Sequence, residues 1–492
     1  MRILWILFAG MLLSVVQGQV LKKNGYFLQE SSEGSADQLL GNGIVDLIAK
    51  NSLVWAATGY GINKTYDGGT TWTAFTSEDY IGKGGVTAMG FMDDSTLWIA
   101  SSFDTVTSDD ATLPAGGGLS YSRNFGKTWV HIPQPVDDRN EIEYAPTTTV
   151  VQNLTYDMAF LDSTIWITSW GGGLRKSIDM GQNWQVVTTD GIPFDVSQNN
   201  PFWRNHVAFS VMVENGAVWV GTASGISKSS DGGQTWRRFT HQNQEFPISG
   251  NFIVALAYQT YNNTVWAATI EADQDTSEVR AVSKSDDGGE TWQVMLEGIF
   301  AHNFAFNDSI IYVAADEGMF VSDDGGVNWF NLPAIRDART GEEILTEIFY
   351  SATVSEEAGI NRFWAGSADG LASTKDNGNT WQVYRSFKST RTAETPNAYA
   401  YPSPFSPSRQ GFIRFQYDIS RAGEVTIDIY DFSMDRVVTI REYEIDPMGN
   451  SYDRSAKWDG RNDSGKIVAS GVYFFRINIE GKITWGKLVI IN

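Results

Sequence analysis

Seven short apolar runs punctuate the chain as far as residue 387. They are 54–58, 97–101, 165–169, 218–222, 265–269, 311–315 and 363–367, and each carries Trp, or once Tyr, at its second position. Their length and their β-branched and aromatic content predict buried strands. An apolar segment such as 207–212 precedes each run, and a Gly-Ile/Leu segment such as 225–229 follows it. A polar turn comes next, and then an outer strand opened by Trp. The turns are Asp67-Gly68-Gly69-Thr70-Thr71-Trp72 and its counterparts, centred on Asn124, Asp179, Asp231, Asp287, Asp324 and Asp376. The seven turn tryptophans, Trp72, Trp129, Trp184, Trp236, Trp292, Trp329 and Trp381, stand 37 to 57 residues apart. Four antiparallel strands repeated seven times predict an all-β chain with a seven-bladed β-propeller over 43–387. One blade cannot bury both faces, so the blades must close into a ring.

Each turn reads Ser/Thr-x-Asp/Asn-x-Gly-x-Thr/Asn-Trp. The carboxylate or amide accepts from backbone N–H groups ahead of it, Gly supplies a positive φ, and the hydroxyls add side-chain bonds. The pattern resembles the Asp-box, or BNR, repeat of sialidases, sortilin-type receptors and related propellers. That resemblance implies a structural role for Asp67, Asn124, Asp179, Asp231, Asp287, Asp324 and Asp376, away from any ligand.

In a four-stranded meander, the connections between blades share a face with those between strands two and three, and the box turns lie opposite. The long insertions 102–117, 131–149, 188–205, 270–280 and 333–343 all fall on the first face. Long loops gathered on a rigid scaffold are where function is usually placed. Tyr144, Trp170 and Trp203 are the expected ligand contacts there, with Asp195 and Arg204 as polar partners.

Residues 388–397 are polar, unpatterned and contain Pro396, which predicts a linker. From residue 398 another β-domain begins, with alternating strands at 412–417, 425–430 and 472–477. Tyr401-Pro402-Ser403-Pro404-Phe405-Ser406-Pro407, Trp458-Asp459-Gly460-Arg461-Asn462-Asp463-Ser464-Gly465 and Ser470-Gly471-Val472-Tyr473 resemble the C-terminal Ig-like domain of flagellar hook-capping proteins and type IX secretion cargo. The resemblance implies an Ig-like sandwich over 398–492 that engages secretion machinery in a Bacteroidetes-like bacterium. The opening motif has Ser403 where that family usually has Asn.

At the other end, Arg2 followed by the apolar run 3–16 and the small residues near Gly18 predict a signal peptide over 1–18. The segment 19–42 is weakly patterned, with one possible strand at 26–28 that could help close the ring. No apolar run is long enough for a comfortable membrane span. The expectation is a secreted or cell-surface protein, and the absence of Cys fits a bacterial exported chain.

Charge narrows the partners. The formal net charge is −22, yet residues 398–492 hold 12 basic and 12 acidic residues, so the whole imbalance precedes them. Such a surface disfavours nucleic acid and anionic membranes. The four histidines, His131, His206, His241 and His302, show no metal-ligand spacing, and no cofactor motif is present. The early Phe/Tyr-Arg-Ile-Pro motif of sialidases is absent. The reading is a non-catalytic module that holds a polysaccharide or a protein. The alternative is a glycoside hydrolase using two loop-face carboxylates from Asp104, Asp109, Asp137, Asp138, Glu141, Glu143, Asp195, Glu271, Asp273 and Asp275.

Overall fold

The computed structural model describes residues 39–108, 110–137, 148–189, 192–193, 207–271, 277–339, 342–386, 398–418, 423–444, 453–479 and 481–491. The described residues within Ser35–Ile335 and Glu347–Arg385 form one compact unit, and those within Arg336–Thr346 and Ser386–Asn492 form another.

The first unit contains seven four-stranded antiparallel sheets, each built from four consecutive strands. In the first blade these are Ile44–Lys50, Leu53–Thr58, Gly61–Thr65 and Thr73–Phe75. The last blade is Phe349–Glu357, Ile360–Ser367, Gly370–Thr374 and Gln382–Tyr384. The first strand of each blade touches the first strand of the next, and Ile44–Lys50 touches Phe349–Glu357, so the cycle is closed. Among the described residues no blade borrows a strand from another: the seam between the seventh and first blades is closed by side chains and by backbone bonds from Gly370 N to the Asn42 carbonyl at 2.7 Å and from Glu356 N to the Asn51 carbonyl at 2.9 Å. Leu39 is buried there with Trp72, Trp364 and Leu371. Tyr384 Oη donates to the Gly68 carbonyl at 2.7 Å. The end of the N-terminal segment thus joins the seam as a buried plug, while the expected strand at 26–28 lies outside the described residues.

The box turns show why their residue types recur. In the fourth blade, Ser229 Oγ donates to Asp231 Oδ1 at 2.8 Å and accepts from Gly233 N at 2.8 Å. Asp231 Oδ1 accepts from Thr235 N at 2.9 Å, and Oδ2 from Thr235 Oγ1 at 2.6 Å. The same four-residue bracket recurs around Asp67, Asp179, Asp287, Asp324 and Asp376. In the second blade the Asn124 amide donates to Thr128 Oγ1 instead.

Each box also reaches its neighbour. At four of the boundaries the box tryptophan packs edge-on against the buried strand-two tryptophan of the preceding blade. Trp129 meets Trp55 at 6.2 Å and 81°, Trp236 meets Trp166 at 6.3 Å and 83°, and Trp329 meets Trp266 at 6.2 Å and 83°. Trp72 meets Trp364 at 6.2 Å and 83° across the closing seam. The box glycine two residues after the Asp lies on the same ring: a Cβ on Gly233, whose φ is +85°, would stand 2.6 Å from Trp166. From the other side, a strand-three lysine lies over that tryptophan and donates to the next box. Lys228 Nζ is 4.4 Å from the Trp219 ring centroid and 3.1 Å from the Gly288 carbonyl. Lys284 repeats this on Trp266 and Gly325, and Lys64 and Lys176 do so on their own blades.

All seven inner strands carry a register shift near their first residues. The extra residues are Val45, Thr87, Tyr156, Phe209, Val254, His302 and Tyr350. A bulge adds local twist and re-aims the side chain, which suits strands that must converge on an axis.

The second unit has two sheets on one core. Ala398–Tyr401, Ile413–Asp418 and Asp453–Trp458 form one, and Arg436–Glu444, Gly423–Tyr430, Gly471–Ile479 and Lys482–Ile490 form the other. Phe405, Phe415, Tyr417, Ile427, Trp458, Phe475 and Leu488 lie between them. The segment 336–346 clusters with this unit. There Arg414 Nη2 donates to the Glu343 carbonyl at 2.9 Å, and Lys457 pairs with the Glu343 carboxylate at 2.9 Å. The acidic end of 333–343, expected among the propeller's ligand loops, thus has basic partners on strands Ile413–Asp418 and Asp453–Trp458.

Two outcomes test this account. Gly233→Ala should destabilise the chain by about 1–3 kcal/mol more than Gly216→Ala in urea unfolding. Both glycines have positive φ, but a Cβ at Gly216 meets nothing within 4 Å. Equal losses would show that the glycine–tryptophan contact is unimportant. The second outcome concerns acid. At Asp287, burial would raise the pKa, but bonds from Thr291 and Ser285 outweigh it and bring it to about 2. At Asp324, bonds led by the Asn328 backbone N–H also bring it to about 2. A carboxylate held below its unfolded value stabilises the fold above that value, and the contribution fades as pH falls from about 4 to 2. Urea midpoints should therefore drop through that window, and Asp324→Asn should show a shallower drop from a lower starting stability.

Candidate functional site: the loop face of the propeller

The inner strands start on the loop face, so their bulged residues stand near its centre. Tyr156 and Phe209 are 5.4 Å apart, and Phe209 and Phe252 are 4.5 Å apart. Burial pushes the Tyr156 phenol well above its ordinary pKa, so it stays protonated. Trp170, half-buried in the turn after Thr164–Ser169, leans on Phe209 at 6.0 Å and 57°. Phe300 and His302 continue the aromatic band, 4.7 Å apart, and His302 meets Tyr350 at 5.8 Å. His302 Nε2 is 2.8 Å from Asp316 Oδ1, and the Arg280 guanidinium lies 5.0 Å over the Phe300 ring. The band thus spans blades three to seven and has both apolar and polar members.

A buried polar frame holds the Trp170 turn. Thr148 Oγ1 donates to the Gly171 carbonyl at 2.9 Å, and Ser169 Oγ accepts from Gly172 N at 2.8 Å. Ser169 Oγ also donates to Asn153 Oδ1 at 2.8 Å, and Asn153 Nδ2 to the Pro135 carbonyl at 2.7 Å. Gly172 is required by close approach, since a Cβ there would lie 2.4 Å from Ser169 Oγ. Beneath this turn Arg175 Nη2 pairs with Asp137 Oδ1 at 2.7 Å, with side chains only 4% and 1% exposed. Burial alone would raise the Asp137 pKa, but the Thr148 N–H and Arg175 outweigh it and hold the carboxyl below its ordinary range. Asp137 is a fixed structural anion, which corrects its place among the candidate catalytic acids.

Of the other expected residues, Tyr144, Asp195, Trp203 and Arg204 lie outside the described residues, as do Asp109, Asp138, Glu141, Glu143, Asp273 and Asp275. Asp104 and Glu271 are described. Asp104 sits on a strand, because 102–117 is a hairpin and not a loop: Leu97–Val106 pairs with Thr112–Ser122 to the tip. Residues 150–152 continue the sheet on its outer side, with Gly116 N bonded to the Val150 carbonyl and Gln152 N to that of Pro114, both at 2.8 Å. Lys83 Nζ lies 4.0 Å from the Phe103 ring centroid on this hairpin.

Sequence reasoning missed the His302–Asp316 pair and the ring of bulged residues, since each comes from separate strands. The alternation of Ala301–Asn307 could have flagged His302. It also missed Glu278, buried in the connection between the second and third strands of the fifth blade, which accepts from Gln242 Nε2 at 2.9 Å and Asn251 N at 3.1 Å. Among the described residues no three His, Cys, Asp or Glu side chains are grouped to hold a metal ion, and no helix is long and apolar enough to cross a membrane.

No protein-family model matches the chain. It is 25% identical to rat sortilin (Rattus norvegicus) over 266 residues, 50% of this chain and 28% of that one. It is likewise 25% identical to a Paenibacillus sp xyloglucanase over 190 residues, 33% of this chain and 18% of the enzyme. The chain therefore spans under a third of the length of these curated relatives. Among solved structures, the GH74 xyloglucanase of Xanthomonas campestris superposes with a TM-score of 0.51 at 13% identity, covering 72% of this chain and 55% of that one. The chain is thus an all-β propeller similar to sortilin in sequence and to GH74 xyloglucanases in fold.

Proposed function

We propose that the chain is an exported binding or assembly protein that holds a polysaccharide or a protein on the propeller's loop face without transforming it. The observation that carries this reading is the Trp170 platform. A half-buried aromatic ring, braced by Phe209 and by the buried Arg175–Asp137 frame, offers stacking surface on a rigid support. The carboxylates favour it too, since Asp137 is committed to Arg175 and Asp104 to a hairpin strand. In the same proposal, 1–18 directs export, and 398–492 is an Ig-like sandwich that engages a type IX-like secretion machinery and leaves the protein secreted or at the cell surface. Two sheets on one core and the motifs around Tyr401, Trp458 and Tyr473 support that part. A second reading, a glycoside hydrolase, is favoured by the similarity to xyloglucanase in sequence and fold.

One pair of assays separates them. The full chain should be retarded in affinity electrophoresis through a panel including xyloglucan, or capture a surface protein in cross-linking, and release no reducing ends from any glycan. Trp170→Ala should weaken that binding at least tenfold while leaving the unfolding midpoint within about 1 kcal/mol of wild type. Release of reducing ends would establish the hydrolase instead, and undiminished binding by the variant would remove Trp170 from the site.

A further inference from the structure

The outer face of the second unit's four-stranded sheet has a composition that folding does not explain. Its side chains stand in cross-strand rows. One row is Lys487, Phe474, Tyr430 and Arg436, and the next is Trp485, Arg476, Asp428 and Thr439. Trp485 is 50% exposed and lies 5.5 Å from the Tyr430 ring, tilted by 34°. The Arg476 guanidinium sits 6.0 Å over each ring, held by Asp428 at 2.5 Å. Asp428 in turn accepts from Thr439 Oγ1 at 2.6 Å. The arginine and its rings are therefore braced from below. The other carboxylate of this face, Glu424, is paired with Arg441 at 2.7 Å. Lys487 and Arg436 are exposed at opposite ends of the Phe474–Tyr430 row; neither makes a direct ion pair among the described residues, although Arg436 is near enough to Asp428 to help hold that carboxyl below its ordinary range.

Trp485, Tyr430 and Phe474 are contiguous and at least partly exposed, and a contiguous apolar patch rimmed by charge marks an interaction surface. We infer that this face binds an acidic polysaccharide, stacking a sugar ring on Trp485 and Tyr430 and pairing its carboxylates with Lys487 and Arg436. Three observations select this occupant. The rings lie on an open sheet face and not in a pocket, which suits the flat C–H face of a sugar, whose partial positive charge is drawn to the π cloud. Two unpaired cations flanking one aromatic pair match spaced carboxylates and not a run of phosphates, which would need a continuous basic track and successive stacking rings. Finally, all of the −22 net charge precedes residue 398, so the balanced second unit is the part of the chain that a polyanion can approach. This site is separate from Trp170 and does not rest on the function proposed for the loop face.

The test uses the full mature chain and hyaluronan, in which a carboxylate-bearing sugar alternates with a neutral one. Binding by biolayer interferometry at low salt should be saturable and weakened by added NaCl, with neutral dextran binding at least tenfold more weakly. Trp485→Ala should raise Kd at least tenfold, and so should the double variant Arg436→Glu/Lys487→Glu. Both charge positions are exposed, so that variant keeps the fold even if the tryptophan variant does not. Trp170→Ala should leave hyaluronan binding unchanged. Absence of hyaluronan binding, binding indifferent to the charge reversal, or tighter binding of oligo-dT or a poly-glutamate peptide would each overturn the inference.

Discussion

The edge-on contact between one blade's box tryptophan and the buried tryptophan of the blade before it is what the propeller depends on. Each ring removes about 200 Å² from water, on the order of 5 kcal/mol of burial. Neither ring could be buried by its own blade alone. The box hydrogen bonds serve this contact. The Ser or Thr and Asp bracket sets the turn, the turn sets the glycine against the neighbouring ring, and the glycine lets backbone approach where a Cβ would collide. The strand-three lysine then covers the ring and bonds to the next box. A single box is a modest local motif, and its repetition creates a cycle in which each blade completes the core of another.

This division of labour frees the opposite face. The boxes and their neighbouring rings secure the blades on one side, so the loop-face ends of the inner strands can carry bulges and mixed chemistry. The bulged positions run from buried Val45 and Thr87 through Tyr156 and Phe209 to partly exposed His302 and Tyr350. A ring position that varies so widely in residue type while the backbone feature recurs is one that folding leaves open. The Trp170 turn belongs to this open region, and its frame of Thr148, Ser169, Asn153, Asp137 and Arg175 shows how a connection from the preceding blade is recruited to hold it rigid.

Much of this architecture was legible in the sequence because it repeats. The Trp runs and the boxes predicted strands, turns and blade number from local pattern alone, since a strand signal and a turn signal are short-range. What the pattern could not supply was anything depending on two blades at once: that Gly233 touches Trp166, that Lys228 spans to Gly288, that Leu39 plugs the closing seam. The insertion 102–117, expected as a long loop, is instead the extended end of the hairpin Leu97–Val106 with Thr112–Ser122, and residues 150–152, distant in sequence, provide its edge bonds. Position in the meander puts 333–343 among the loop-face insertions, and nothing local in the sequence signals that Arg414 and Lys457 hold its acidic end. The Trp170 part of the site was visible as an aromatic in a glycine-rich turn. His302 and Asp316 were not, because their pairing joins residues 14 apart, one on an inner strand and the other in the turn after the next strand.

The sixth blade shows how the inter-blade rule bends. Tyr312 stands where other blades have Trp, Val321 replaces the bridging lysine, and Gly378 of the next box meets no ring but its own Trp381. The seam to the seventh blade is therefore built differently. Tyr312 stacks on Phe363 at 3.8 Å and 14°, and His302 packs on Tyr350, while the bond from Ala352 N to Asn303 Oδ1 at 3.2 Å repeats those from Met89 N to Asp46 and from Val211 N to Asp157 at other seams. The Tyr312–Phe363 stack stays at the box end of the strands, since Tyr312 pairs with Val321 and Phe363 with Thr374, just before the box residues Asp324 and Asp376. Substitution of the tryptophan is tolerated there because stacking recovers part of the lost area. On the loop-face side of the same seam His302 packs on Tyr350 of the seventh blade while pairing with Asp316, so the polar part of the candidate site includes one of the contacts that join two blades.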